Sequence, residues 1–184
     1  KGYLKQVHES GIRMAELVDA LLNVSRLEMG TFAVNAQEID LIEVVRSLVV
    51  ELRPEFKRHK HAFTLTLSRQ RLPALLDRRW VWIVLQNLLT NAIKYTPDEG
   101  KIDLEIDQKG ERIHIRVTDS GVGIPEKQQG QIFSKLFRAE NVQSLDVQGS
   151  GLGLYIAKSI VEKMGGTIRF TSRVGKGTTF YVIL

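Results

Sequence analysis

Apolar positions recur along the chain at two periods, and the switches between them lay out its elements. From Lys1 to Met29, the residues Leu4, Val7, Gly11, Met14, Val18 and Leu21 follow a three-four alternation. That is the spacing of a bundle or coiled-coil seam rather than of a face on a globular core. Leu17 and Val24 widen the stripe, so the helix asks for more than one partner, as in a four-helix bundle built by a dimer. Gly30 stops it, and Thr31 to Gln37 reads as a link. The boundary is expected near Met29 to Ala36, dividing the chain into 1–30 and 37–184. A second amphipathic helix is predicted from Ile39 to about Arg58 through Leu41, Val44, Val45, Leu48, Val49 and Leu52, with Pro54 kinking it or ending it early. A third runs from near Asp77 to Pro97, with Val81, Val84, Leu85, Leu88 and Ala92 on one stripe.

Elsewhere the period is two. Phe63, Leu65 and Leu67 alternate with polar residues, as do Ile102, Leu104 and Ile106, then Ile113, Ile115 and Val117. Ile168 and Phe170, then Phe180, Val182 and Leu184, repeat the pattern. Strands that are half polar belong to a sheet covered on one face only, so the helices must lie together on that face. The fold class is therefore α/β, a two-layer sandwich preceded by a long N-terminal helix. Gln108-Lys109-Gly110 joins the middle strands as a hairpin, so part of the sheet is antiparallel.

Composition narrows the function. The 184 residues are 43% hydrophobic, enough for one good core and an appendage. No apolar run approaches the roughly 18 residues that cross a bilayer, and Lys1-Gly2-Tyr3 opens no signal peptide, so a cytoplasmic portion is expected, whose parent chain can still be membrane-anchored. With no cysteine there is neither disulfide nor thiolate metal site, in keeping with a reducing compartment. The net charge of +5 is spread among 21 acidic residues without aromatic and basic interleaving, which argues against nucleic acid.

The chemistry gathers around the third helix. Asn87, Asn91 and Lys94 fall within an arc of about 60° away from its apolar stripe. Amide oxygens suit magnesium and an ammonium suits phosphate, although a surface helix can carry the same residues for no such reason. Three glycine loops can converge on that face. Asp119-Ser120-Gly121-Val122-Gly123-Ile124-Pro125 ends a strand on a carboxylate able to accept from the amine of adenine, or is a plain turn. Gly149-Ser150-Gly151-Leu152-Gly153-Leu154 runs into a helix whose buried side is Ile156, Ala157, Ile160 and Val161; it is a phosphate site or a flexible connector. No Gly-Lys-Ser/Thr closes a P-loop, and the loop does not follow a strand as a dinucleotide fingerprint must. Gly175-Lys176-Gly177-Thr178-Thr179 reads first as a hairpin turn.

Together these stretches resemble the catalytic and ATP-binding domain of sensor histidine kinases, of the Bergerat-type fold shared with DNA gyrase, a heat-shock chaperone and a mismatch-repair protein. Asn87 to Tyr95 looks like the N box, Asp119 to Gly123 the first glycine box, Ile132-Phe133 with Phe137-Arg138 the F box, Gly149 to Leu154 the second glycine box and Gly175 to Thr178 the last. Met14 to Leu22 and Ser25 to Gly30 look like the second helix of the dimerisation and phosphotransfer domain. The resemblance implies a histidine kinase that takes the γ-phosphoryl of ATP. It implies Mg²⁺ on Asn91, with Asn87 in support, Lys94 on phosphate and Tyr95 closing over the nucleotide. Asp119 would read adenine, with Gly121, Gly123, Ile124, Phe133, Arg138, Leu152, Leu154 and Thr179 around the ligand. Gly149, Gly151 and Gly153 would receive phosphates. The implied partners are a histidine-containing bundle domain of the same protein, a second copy in a homodimer, and a response regulator.

The departures count too. His8-Glu9 imitates the family's phospho-accepting dipeptide, but Ser10-Gly11-Ile12-Arg13 continues it wrongly and no proline follows, so the acceptor is expected on a helix outside these residues. His59 and His61 read as solvated residues of a basic linker, and His114 as a polar-face strand residue. Leu136 stands where an aromatic is common in the F box. Ala139 to Gln148 has neither period and reads as a long loop of the kind that serves as a lid. Two other readings remain: a superfamily ATPase that drives a clamp, and a degenerate module that binds without catalysing.

Overall fold

The chain alternates between short strands and helices in an order that returns repeatedly to one sheet. The computed structural model describes residues 34–143 and 150–184, with Gly11, Met14, Val18, Leu21, Leu22, Val24, Ser25 and Met29 ahead of them. Every described position from Gly11 to Ser25 is helical. Met14, Val18, Leu21 and Leu22 are exposed, whereas Val24 is buried in the main core.

Strand β1 (Gln37–Asp40) leads into helix α1 (Leu41–Arg58), then β2 (Ala62–Leu67), β3 (Pro73–Leu76) and helix α2 (Arg78–Tyr95). The hairpin β4 (Lys101–Lys109) and β5 (Arg112–Asp119) follows; a 3₁₀ turn at Glu126–Gln131 and the short helix α3 (Glu140–Gln143) precede α4 (Gly153–Lys163), β6 (Thr167–Arg173) and β7 (Gly177–Ile183). Five strands form a mixed sheet in the order β2-β4-β5-β7-β6, parallel only between β2 and β4. Ile102, Leu104, Ile106, Ile113, Ile115, Val117, Phe180 and Val182 are buried on one face. The helices cover that face. On the other, Arg116 pairs with Glu105 and Arg169 lies over Tyr181. This is the expected two-layer sandwich.

Helix α2 buries eight residues, from Trp80 to Ile93. At roughly 1.5–3 kcal/mol for each large apolar side chain removed from water, packing rather than intrinsic propensity holds it. Asp77 sets its start: Oδ1 accepts from Arg79 N at 2.9 Å and Trp80 N at 3.2 Å, and Oδ2 accepts from Asn35 N at 2.9 Å.

Three expectations needed correction. The second helix starts at Leu41 rather than Ile39, because Asp40 caps it and Ile39 belongs to β1, which pairs antiparallel with β3. Pro54 neither ends nor shortens α1. It lies on the exposed side of the helix, as does Val50. Water can therefore take the carbonyl that a proline leaves without its helical donor. Finally, the loop expected over Ala139 to Gln148 opens with the helical turn α3; residues 144–148 lie outside the described residues.

Candidate functional site

Two adjoining compartments open between α2, α4 and the loops after β5, and Asn91, Tyr95, Ile132, Phe137 and Leu154 line both. The first, of about 600 Å³, is walled by apolar groups including Ile124, Ala139 and Val142, with Asp119 and Thr178 as its polar end. The second, of about 530 Å³, is polar and carries Asn87, Thr90, Lys94, Ser150, Gly151 and Gly153. One apolar slot joined to one polar slot suits an elongated ligand with an aromatic end and a charged end.

The apolar slot is built on Asp119, the last residue of β5. It has the parity of Ile113, Ile115 and Val117, so it faces the covered side. Its Oδ1 accepts from Gly121 N at 2.8 Å and Thr178 N at 3.1 Å, which leaves Oδ2 without a donor among the described residues. The side chain is nearly buried, and desolvation pushes its pKa up to about 6 against the pull of the two N–H groups. The native state therefore holds the proton more tightly than the unfolded chain, whose ordinary value is 3.8. Stability from this group is present below pH 4 and is lost as pH rises through 6, by up to about 3 kcal/mol. Denaturant midpoints at pH 4 and pH 7 should accordingly diverge between the parent and Asp119→Asn. A pH-independent difference would refute this assignment.

The first glycine loop is pinned from both sides. Val122 N donates to Tyr95 O at 3.1 Å, and Gly175 N donates to Val122 O at 2.9 Å. A Cβ at Gly121 would run into the Tyr95 carbonyl, and at Gly123, where φ is +68°, into the Arg173 carbonyl. Backbone fills the space that side chains would need.

In the polar slot, Asn87 Nδ2 donates to Ile83 O at 2.8 Å, which turns Oδ1 toward Gly153, where a Cβ would stand only 2.5 Å from it. Asn91 and Lys94 make no side-chain bond to any described residue. Helix α4 begins at Gly153 without a side-chain cap, so its first N–H groups are available to an anion. Beside them, burial pushes the Tyr95 hydroxyl above its ordinary value, and the Arg138 guanidinium opposes the shift.

Asn87, Asn91, Lys94, Tyr95, Asp119, Gly123, Ile124, Arg138, Gly151, Gly153 and Leu154 are thus brought together. Gly121 borders neither slot, and its N–H donates to Asp119 Oδ1. Gly149 lies outside the described residues. Three residues are placed elsewhere. Phe133 packs edge-on against Phe170 and Phe180 at 5.9 and 6.5 Å, half-buried against the core and lining neither slot. Leu152, 1% exposed, is buried one turn ahead of Ile156. Thr179 lies on the outer face, donating to Thr118 Oγ1 at 3.2 Å, and Thr178 takes its place. Thr178 was findable, since it shares parity with Phe180 and Val182. The histidine pair also differs from expectation. His61 is buried, with Nε2 3.2 Å from Thr96 O, and stacks on His59, whose Nδ1 is 2.8 Å from Asp98. Among the described residues no cluster of three His, Cys, Asp or Glu could hold a metal, and no helix is long and apolar enough to cross a membrane.

Residues 76–184 match the model of the histidine kinase-, DNA gyrase B- and HSP90-like ATPases. The chain belongs to this family. Within it, the circadian input-output histidine kinase CikA of Synechococcus elongatus is 32% identical over 98% of this chain and 24% of its own length. The sensor histidine kinase WalK of Bacillus subtilis is 34% identical over 91% of this chain and 28% of its own. The histidine kinase ThkA, solved in complex with the response regulator TrrA, superposes with a TM-score of 0.79 at 26% identity, over all of this chain and 50% of that one. The chain thus spans about a quarter of the length of these curated relatives, and its residues 76–184 carry the match to the family's ATPase model.

Proposed function

We propose that residues 37–184 bind Mg-ATP and donate its γ-phosphoryl group to a histidine on a bundle helix, as the catalytic part of a sensor histidine kinase in a two-component system. The joined apolar and polar slots carry this reading, because they match base and triphosphate in one cavity. Asp119 Oδ2 accepts from the adenine amine between the pinned glycine loops. The first N–H groups of α4 and the Lys94 ammonium take the phosphates. The residues also fit a magnesium ion: Asn91 has a free amide at the junction of the slots, and Asn87, whose Oδ1 faces Gly153, lines the polar slot. Asn91, supported by Asn87, would hold it, and it would supply charge neutralisation on the phosphate oxygens. In the transfer, a histidine nitrogen forms a bond to the γ-phosphorus as the bond to the bridging oxygen breaks, and ADP leaves with that electron pair. The domain's part is positioning and charge stabilisation.

Residues 1–30 act as one helix of the dimerisation and phosphotransfer domain. Met14, Val18, Leu21 and Leu22 are the apolar face left for partner helices and for a second copy. A response regulator is the onward acceptor, on the cytoplasmic side of the parent protein. The test is to incubate the chain with labelled ATP, alone and with a two-helix bundle that carries an acceptor histidine. Label is expected on the bundle only. Acid-labile, base-stable label on His8, or no transfer despite measured ATP binding, would overturn the reading.

A further inference from the structure

We infer that Ser172 sets the base specificity of the apolar slot as a positioning residue, by fixing the direction in which the Thr178 hydroxyl donates. The inference rests on reading that slot as an adenine site. Ser172 on β6, Thr178 on β7 and Asp119 on β5 are successive partners across the sheet. Ser172 has the parity of Ile168 and Phe170, so its hydroxyl enters the covered side. There Ser172 Oγ accepts from Ile124 N at 2.9 Å and lies 3.0 Å from Gly177 O and 2.9 Å from Thr178 Oγ1.

A hydroxyl has one proton to give and two lone pairs to accept with, and a carbonyl can only accept. If Ser172 donates to Gly177 O, Thr178 donates to Ser172, and with the Ile124 N–H every capacity of the serine is used. If Ser172 donates to Thr178 instead, its bond to the Gly177 carbonyl goes unmade in a buried place, which is the costlier direction. The Thr178 proton therefore points inward, and its lone pairs are what it offers the cavity. Asp119, the cross-strand partner of Thr178, lines the same slot and offers Oδ2 as another acceptor. Two acceptors side by side suit an exocyclic amine with two protons and repel a carbonyl in the same position. Adenine carries that amine at C6, whereas hypoxanthine carries a carbonyl there. Gln129 Nε2 bridges the Ile124 and Ser172 carbonyls at 3.1 Å each, which ties the loop that supplies the Ile124 N–H to β6 at Ser172.

The test is paired titration with non-hydrolysable analogues of ATP and inosine triphosphate. The parent is expected to favour the adenine analogue by about a hundredfold, since a mismatched purine faces acceptors with an acceptor. In Ser172→Ala the Thr178 proton loses its partner and turns into the cavity. The adenine analogue should weaken by about tenfold while the inosine analogue tightens severalfold. A merely loosened loop cannot tighten a ligand. Thr178→Val should weaken the adenine analogue without helping the inosine one, Ser172→Ala with Thr178→Val should show no inosine gain, and Ser172→Thr should keep the parent's ratio. Equal weakening of both analogues in Ser172→Ala, or an unchanged ratio, overturns the inference. Should Ser172→Ala fail to fold, an unchanged ratio in Thr178→Val overturns it equally. A parent that binds both analogues alike instead removes the adenine reading itself.

Discussion

Asp119→Asn is expected to weaken an ATP analogue by about a hundredfold or more while leaving the fold intact. The reason is orientation rather than loss of size. Gly121 N and Thr178 N both donate to Oδ1, so in the variant they select the amide oxygen for that position. The amide nitrogen then lands where Oδ2 was, and a donor meets the donor of the base. A mismatch of this kind in a desolvated site costs more than the lost bond, because neither group finds water. Asp119→Ala should abolish binding as well, but it leaves two buried N–H groups without an acceptor and should also lower the melting temperature. Melting and calorimetry on the two variants separate these effects. An Asn variant that binds within a few-fold of the parent would mean that Asp119 does not read the ligand.

The same residue illustrates why so much of this site can be read from sequence. Asp119 sits at the end of an unbroken alternation, Ile113-Ile115-Val117, so its face follows from parity alone. Asn87, Asn91 and Lys94 follow from the helical period once Val81, Val84, Leu85 and Leu88 fix the buried stripe. Parity and likeness to the family point to different residues at two positions. Phe180 and Val182 put Thr178 on the covered face and Thr179 on the outer one, and Leu152 is buried one turn ahead of Ile156, whereas likeness to the family points to Thr179 and Leu152. Phe133 was beyond such reasoning, since its partners Phe170 and Phe180 come from strands far away in the chain. The small sheet is not legible in the sequence for a related reason. Gln37 to Asp40 holds a single strong apolar residue and becomes a strand only because Pro73 to Leu76 lies alongside it.

Asn91→Ala should separate the two halves of the cavity. Asn91 borders both slots, and its amide is committed to no described residue, so removing it takes little from the fold and leaves the Asp119 end unchanged. Magnesium keeps several waters and takes few protein ligands, so the loss of one amide oxygen is a large fraction of what the domain offers it. Transfer to a supplied bundle is expected to fall by about a thousandfold, the scale seen when one preorganised electrostatic partner is removed from a reacting site. Binding should change differently. Adenosine, which has no phosphate, should bind the variant as it binds the parent, whereas Asp119→Asn should lose adenosine too. The affinity of an ATP analogue, measured with magnesium and then with chelator, should differ severalfold in the parent and hardly at all in Asn91→Ala. If the variant keeps the parent's full response to magnesium, the ion is held elsewhere, and Asn91 serves only to separate the base slot from the phosphate slot.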